Sequence, residues 1–190
     1  MAFIHNPDYK KIFSFHATIR DRIVARESGW LEFKESFNWL SKDKYAKSMV
    51  AFAIANNRGG YIVFGIKNQP RELAGLQSNN FETTDEAKIT THLNDVFSPE
   101  IVFEKFVVEV RSKNIGILYT PQSKNKPVVC SKNDGDLKES DIYYRYNAKS
   151  ERVKYPELSS HQEVAGVLSV WRGFFLGFPE QWYMSPFPRR

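Results

Sequence analysis

The hydrophobic residues switch between helical and strand-like spacing along this chain. After an Asn-Pro-Asp start at residues 6–8 they recur every three or four positions, which predicts a first helix that ends near residue 26. Its apolar side consists of Ile12, Phe15, Ile19 and Ile23. The next segment alternates, so that Leu31 and Phe33 share one face and Glu32 and Lys34 share the other. This alternation predicts a strand with one buried face.

Two helices and a strand are predicted over the following sixty residues. The first of these helices begins near residues 41–43 and ends at Gly59-Gly60, because glycine accepts the left-handed conformation that closes a helix. The β-branched and aromatic run 61–66 is typical of a buried central strand. Thr83 and Glu86 match a capping box, which predicts the start of the next helix.

The second half of the chain is rich in strands. The predicted strands span 101–110, 115–120, 126–131 and 141–147. The first two flank a turn at 112–114, and the later two are expected to complete the sheet. A last helix is predicted after residue 160. This order predicts an α+β single domain with a mixed or antiparallel sheet packed by helices, and with extra N- and C-terminal helices.

Composition narrows the class of protein. The chain has 190 residues, 42% of them hydrophobic, which suits a globular domain of ordinary size. No apolar run approaches the roughly 18 residues of a membrane span, and the first residues lack the pattern of a signal peptide. Cys130 is the single cysteine, so no intramolecular disulfide is expected. These features predict a cytoplasmic protein that does not enter a membrane.

The positive charge is concentrated in one stretch. Residues 105–154 carry 11 Lys and Arg against 6 Asp and Glu, and this difference equals the net charge of +5 for the whole chain. A basic surface interleaved with tyrosines suits a polyanion such as nucleic acid. Ordinary solvated surfaces also carry a modest basic excess, so charge alone leaves both interpretations open.

Four segments together resemble the Schlafen/AlbA-like domain, with their order and spacing intact over about residues 22–158. They are LEFKES (31–36), AFAIANNRGGYIVFGI (51–66), AGL (74–76) and IYYRYNAKSERV (142–153). The resemblance implies a nucleic-acid-binding domain. It also divides the chain into three parts: an N-terminal helix (1–26), the Schlafen/AlbA-like domain (27–158), and a C-terminal helix with an aromatic tail (159–190).

The resemblance implies a nuclease as an alternative, because Schlafen relatives cleave transfer and ribosomal RNA. Their site is similar to two glutamates five residues apart, followed by an aspartate after the next strand. Glu27 and Glu32 have that spacing, whereas Lys67 and Asn68 stand where the aspartate is expected. By this resemblance, the candidate catalytic residues are Glu27, Glu32 and Lys34. Glu27 and Glu32 are also candidate ligands for Mg²⁺ or Mn²⁺, and no cofactor is expected without cleavage.

The geometry of these residues leaves two interpretations. Glu27 and Glu32 can share an ion only if the chain bends at Gly29, because they point to different sides of a regular helix or strand. Lys34 lies on the same strand face as Glu32, where it can hold a phosphate. The alternative is an exposed Glu–Lys pair that contributes little.

The strand at 141–147 carries further candidates. Tyr144 and Tyr146 share one face, and Tyr143 and Arg145 share the other. Exposed tyrosines can stack on unpaired bases, while Arg145 can bind a phosphate or pair with a carboxylate such as Glu32. A core strand has the same composition. The predicted nucleic-acid contacts are Lys34, Tyr144, Arg145, Lys149, Arg152 and Lys154.

The segment at 56–60 has two interpretations as well. Its asparagines and glycines suit a phosphate cradle, but the cap at the end of a helix requires the same residues, and this structural interpretation is favoured. The chain has no GxxxxGK[ST] loop, so the glycines do not indicate an ATP site.

The leading hypothesis is a protein that binds nucleic acid, with RNA or single strands favoured, because no recognition helix for B-DNA is evident. The first alternative is a metal-dependent endoribonuclease, which the resemblance places in stress response or phage defence. The second is a protein-interaction module whose partner binds the aromatic C-terminal tail. Schlafen nucleases pair two lobes, so the resemblance implies a homodimer of this one-lobed chain, with its terminal helices in contact.

Overall fold

The computed structural model describes residues 7–55 and 58–154. The chain divides into two compact units, Met1–Val153 and Lys154–Arg190, and the fold below is that of the first. The predicted C-terminal helix, the aromatic tail, and Asn56 and Asn57 of the glycine-rich segment lie outside the described residues.

The described residues form three α-helices, eight strands and two short 3-10 helices. The α-helices are α1 (Lys42–Ala55), α2 (Asn80–Thr83) and α3 (Glu86–Val96), and the 3-10 helices are Pro7–Phe13 and Trp39–Ser41. The strands are β1 (Leu31–Lys34), β2 (Gly60–Phe64), β3 (Phe97–Ser98), β4 (Glu104–Val110), β5 (Lys113–Thr120), β6 (Val129–Cys130), β7 (Tyr143–Tyr146) and β8 (Lys149–Arg152). This content confirms the predicted α+β class. Over residues 7–55 and 58–154, no helix is both long enough and apolar enough to cross a bilayer.

A four-stranded mixed sheet forms the centre of the fold. Its order is β1-β2-β5-β4, with β1 parallel to β2 and the other neighbours antiparallel. Every residue of β2 is buried, which confirms the predicted central strand. The prediction that the later strands complete this sheet is wrong: β3 pairs with β6, and β7 pairs with β8. The β7–β8 hairpin packs against α1, where its buried side chains find partners.

The two faces of the sheet contact different hydrophobic clusters. Ile62 and Phe64 of β2 pack with α1 and α3, whereas Tyr61 and Val63 pack in the second cluster. Leu31 and Phe33 of β1 also belong to that second cluster. Because strand side chains alternate, Glu32 and Lys34 point to the side of the sheet on which α1 lies.

The predicted N-terminal helix is wrong beyond Phe13. The chain instead folds back on itself, with Phe15 opposite Ile23, and Ile23 N–H donates to the Arg71 carbonyl at 2.9 Å. Asp21 has a φ of 58°, a left-handed conformation that no α-helix contains. The Arg111 guanidinium, together with Lys113, holds the pKa of the Asp21 carboxyl below its usual value. Of the four apolar positions, Ile12 and Ile23 are buried whereas Ile19 is 42% exposed, so the helical spacing does not describe one buried face.

Two boundaries differ from prediction for local reasons. The cap of α3 is Asp85 and not Thr83, because the Ala87 N–H donates to the Asp85 carboxylate at 2.9 Å. The turn between β4 and β5 consists of Arg111 and Ser112, whose φ angles are 50° and 58°. Positive φ at both positions is typical of the tight two-residue hairpin turn, so β5 begins earlier than predicted, at Lys113.

Gly59 precedes β2 and Gly60 is its first residue, and close packing requires glycine at both positions. Gly59 has a φ of 68°, in the left-handed region that was predicted for the end of the preceding helix. At Gly60 a β-carbon would overlap the ring of Phe52 in α1. The structure thus supports the structural interpretation at these two glycines.

We expect Gly60→Ala to lower the free energy of unfolding by about 1–3 kcal/mol, because the added methyl overpacks the core against Phe52. Urea denaturation measures the change. Gly29→Ala is a matched control, since the nearest atom to its β-carbon position is the Asn147 carbonyl oxygen at 4.0 Å. The control is expected to change stability by less than about 0.5 kcal/mol. Equal losses for both variants would contradict this account.

Candidate functional site

A buried ion pair lies at the centre of the candidate site. Arg145 of β7 donates from Nη1 to Oε2 of Glu32 in β1 at 2.8 Å. Arg145 is 5% exposed and Glu32 is 7% exposed, so water screens this pair only weakly. Of the two roles predicted for Arg145, the structure shows the pairing with a carboxylate. The guanidinium is too deeply buried to contact a phosphate backbone in this conformation.

Arg145 makes three further hydrogen bonds. Its Nη1 donates to Ser150 Oγ at 3.0 Å, Nε to the Ser28 carbonyl at 3.2 Å and Nη2 to the Leu31 carbonyl at 3.4 Å. Its guanidinium lies 4.9 Å from the centre of the Phe52 ring. A single side chain therefore joins β1 and its preceding turn to β8 and α1.

Lys34 adds a second cation to the same carboxylate. Its Nζ lies 2.6 Å from Oε1 of Glu32, which confirms that these two residues share a strand face. The Lys34 side chain is 35% exposed, in contrast to that of Arg145. One carboxylate thus faces two cations, and the three side chains carry a net charge of about +1 whose accessible part is Lys34.

Glu27 lies against the edge of β1. The chain turns between Ser28 and Leu31, with the Ser28 N–H donating to the Leu31 carbonyl at 2.9 Å. This turn places Glu27 beside the strand, where Oε1 accepts the Phe33 N–H at 3.0 Å. Because β1 is an edge strand among those that the structure describes, none of them offers an acceptor for that N–H. Glu27 therefore satisfies a backbone donor at the sheet edge.

The donor set at this position does not fit a divalent cation. Both oxygens of Glu32 are occupied by cations, and one oxygen of Glu27 accepts a backbone N–H. In the part of the chain that the structure describes, no three His, Cys, Asp or Glu side chains gather as a metal site requires. The possible third acids are engaged elsewhere, Glu72 with Lys67 at 3.6 Å and Asp141 with Arg152 at 2.6 Å. No metal-dependent step follows from this arrangement, and cleavage stays a prediction.

A groove of about 380 Å³ opens beside the ion pair, between α1 and the β7–β8 hairpin. Glu32 and Arg145 lie on its buried side, together with Ser48 and Ser150. Its charged rim consists of Lys44, Lys47, Lys149, Asp136 and Glu151. The buried side of the groove therefore holds the oppositely charged pair Glu32–Arg145, and three lysines lie at its rim.

Sequence reasoning missed two of these lysines. Lys44 and Lys47 lie three residues apart in α1, and that spacing places them on one face of the helix. The signal was present in the helical pattern, but only the tertiary structure shows that this face meets Lys149 across the groove. Of the other predicted contacts, Arg152 is paired with Asp141, and Lys154 is exposed at the start of the second unit.

The tyrosines of β7 divide between the two faces as predicted. Tyr143 is buried; its hydroxyl oxygen accepts the Lys138 N–H at 2.8 Å, and burial raises its pKa to about 12. Tyr144 and Tyr146 are half-buried with ring centres 5.1 Å apart, and the Tyr144 hydroxyl donates to the Ala55 carbonyl. Lys149 of β8 lies opposite Tyr146, so both residues share one face of the hairpin.

All of these site residues fall within one matched family region. The family model described as Schlafen, AlbA_2 matches residues 27–154. The chain belongs to the Schlafen/AlbA_2 family. The family region contains both strands of the buried ion pair, the helix α1 and the β7–β8 hairpin.

Three proteins similar to this Schlafen/AlbA_2 chain are either longer than it or distantly related. The uncharacterized ATP-binding protein UU034 of Ureaplasma parvum is 42% identical over 149 residues, covering 70% of this chain and 41% of that protein. The structure of the DIP2311 protein from Corynebacterium diphtheriae has a TM-score of 0.53 and 13% identity, covering 79% of this chain and 26% of that one. This likeness supports the fold alone. The N-terminal domain of an ATP-dependent DNA helicase RecG-related protein from Nitrosomonas europaea has a TM-score of 0.40 and 19% identity, covering 60% and 80% of the two chains.

We expect Glu32→Ala to destabilise this Schlafen/AlbA_2 chain far more than Lys34→Ala. Removing Glu32 leaves the buried Arg145 without a counter-charge, which costs about 3–5 kcal/mol. Removing Lys34 leaves the Glu32–Arg145 pair intact and is expected to cost less than about 1 kcal/mol. Urea denaturation of both variants gives the comparison. Similar losses would show that the buried pair does not hold the site together.

Proposed function

We propose that this Schlafen/AlbA_2 chain binds nucleic acid in the groove between α1 and β7–β8, and that it prefers RNA or single strands. The observation that carries the proposal is the set of three lysines at the rim: Lys44, Lys47 and Lys149. Among the described residues, none of them is held in an ion pair with a carboxylate. The Lys47 ammonium lies 5.2 Å from the centre of the Tyr143 ring, whereas Lys44 and Lys149 are exposed. The charges of Lys44 and Lys149 are therefore the most accessible to phosphate groups, which dominate the affinity of nucleic-acid binding.

The charge of the groove suits an extended phosphate backbone. Asp136 and Glu151 also lie on the rim, so the local excess of positive charge is modest. Successive phosphates of a nucleic-acid strand can each contact one lysine and remain apart from these carboxylates. Lys34, which shares Glu32 with Arg145, extends the basic surface on the β1 side.

The preference for single strands rests on Tyr144 and Tyr146, which share a face of the hairpin with the groove residue Lys149. Tyr144 and Tyr146 are half-buried neighbours, and Lys149 shares their face of the hairpin. Rings next to a cation can stack on unpaired bases while the cation contacts phosphate, and such stacking contributes about 1–3 kcal/mol per base. In a duplex the bases are already stacked on each other, so these rings have less to gain.

Adenosine triphosphate is not part of the proposal. The relative from Ureaplasma parvum is called ATP-binding, but this chain spans only 41% of it. The chain also lacks the GxxxxGK[ST] loop that cradles phosphates in a common class of ATP sites.

The earlier nuclease hypothesis has a direct test. Transfer RNA is incubated with the purified chain and Mn²⁺ or Mg²⁺, beside Lys34→Ala, which keeps the buried pair. Cleavage by the native chain that is lost in Lys34→Ala would support a catalytic role for this lysine. The engaged carboxylates lead us to expect binding without cleavage, and a role in stress response or phage defence stays a prediction with it.

We expect Lys44→Ala and Lys149→Ala each to weaken binding of a single-stranded RNA oligonucleotide about two- to fivefold, since each removes one cation from the rim. Fluorescence anisotropy at increasing KCl concentration measures both affinity and its salt dependence. Each variant is expected to reduce the slope of log affinity against log salt by about 0.7, the value for one phosphate contact on a single strand.

Lys124→Ala is the matched control. Lys124 is an exposed lysine on the loop between β5 and β6 and does not line the groove. It should leave affinity and salt slope unchanged. The proposal fails if affinity is insensitive to salt, or if losing Lys124 weakens binding as much as losing Lys44.

A further inference from the structure

Strand β4 is the outer strand of the central sheet on the side away from the groove. The sheet order β1-β2-β5-β4 gives β4 one neighbour, β5, among the described strands. Two of its residues are exposed: Val107, at 37%, and Glu109. Over residues 7–55 and 58–154 no second strand pairs with this edge, and its seven residues are enough to pair with another strand.

The hairpin register decides which backbone groups of β4 face outward. In a hairpin with a two-residue turn, the flanking residues Val110 and Lys113 form a hydrogen-bonded pair. Hydrogen-bonded pairs and non-hydrogen-bonded pairs of residues then alternate along the two strands. The residues of β4 whose N–H and C=O groups point away from β5 are therefore Lys105, Val107 and Glu109.

These three residues are self-complementary about Val107. When two β4 strands run antiparallel with a two-fold axis at Val107, Lys105 of each strand lies opposite Glu109 of the other, and the outward backbone groups face one another. An axis at Lys105 or at Glu109 brings like charges together instead. We propose that β4 pairs with β4 of a second copy in the register centred on Val107, which joins two sheets into one.

The side chains near this edge suit such pairing. Glu109 is exposed and has no ion-pair partner among the described residues. The Lys105 ammonium donates to the Glu82 carbonyl at 3.2 Å and lies 5.1 Å from the centre of the Phe81 ring. Pairing exchanges that neutral acceptor for the Glu109 carboxylate, which adds an attraction between opposite charges to a hydrogen bond whose donor is already ionised.

The opposite side of the strand contributes apolar contact. Phe106 and Val108 are half-buried beside the second hydrophobic cluster, and the Tyr9 ring packs edge-on against Phe106 at 5.4 Å. In the register centred on Val107, Phe106 of each copy lies opposite Val108 of the other. Aromatic residues beside β-branched ones are favourable cross-strand pairs.

This interface leaves the groove open. Arg145 binds Glu32 on β1, at the opposite edge of the sheet from β4. The inference therefore does not depend on nucleic-acid binding. The contact is made by β4 itself, whereas the sequence suggested the terminal helices for a homodimer.

Sedimentation velocity of the 190-residue chain over a range of concentrations tests the proposal. The native chain is expected to show a reversible monomer–dimer equilibrium. Val107→Pro should abolish the dimer and keep the native circular dichroism spectrum, because the outward N–H of Val107 takes no part in pairing with β5. Val102→Ser, at an exposed valine outside β4, is the control and should dimerise normally.

Charge exchange tests the register itself. Lys105→Glu and Glu109→Lys each create two like-charge contacts per dimer and should weaken dimerisation about tenfold. The double variant K105E/E109K restores opposite charges and should return to within about threefold of the native dissociation constant. Glu109→Lys also leaves the Lys105–Glu82 contact in place, so it separates pairing from effects within one copy.

The proposal is overturned by any of three results. One is a native chain that stays monomeric at the highest soluble concentration, and another is a dimer that survives Val107→Pro. The third is a folded double variant that dimerises no better than either single reversal.

Discussion

The burial of the Arg145 guanidinium is the constraint on which the candidate site depends. A buried cation is costly unless a counter-charge and hydrogen-bond acceptors surround it. Glu32 supplies the charge, and Ser150 with the carbonyls of Ser28 and Leu31 supplies the acceptors. Because these partners come from β1, its preceding turn and β8, satisfying one side chain fixes the hairpin against the sheet edge and α1. The groove is the space that remains beside this contact.

The same contact determines how the acidic motif is used. Glu32 lies between Lys34 and Arg145, and Glu27 accepts a backbone N–H at the strand edge. Both glutamates thus stabilise the fold in this conformation, Glu32 through ion pairs and Glu27 through a hydrogen bond to the backbone. The cations available to a ligand come mainly from α1, which closely follows the motif, and from β8, which lies far along the chain. Similarity to a nuclease motif and participation in an active site are therefore separate questions in this chain.

Much of the fold was predictable because its local patterns agree with its packing. The buried run 61–66, the alternation at Glu32 and Lys34, and the division of tyrosines in β7 all follow from the two-residue period of a strand. The prediction of an N-terminal helix was wrong because the spacing of Ile12 and Ile23 fits a helix and a folded-back segment equally well. Both residues are buried in the second hydrophobic cluster. That segment pairs with residues 71–73, and the local spacing of hydrophobic residues cannot predict such a long-range contact.

The sequence by itself determined the fold class, the family, and the strand faces on which Glu32, Lys34 and Arg145 lie. These properties depend on backbone periodicity and on motif order, which are read along the chain. Only the tertiary structure decided that Arg145 is buried and that Lys44 and Lys47 meet Lys149 at one groove. Burial and charge pairing depend on which elements come together in space. That outcome is set by the packing of the β7–β8 hairpin on α1, two elements that are far apart in sequence.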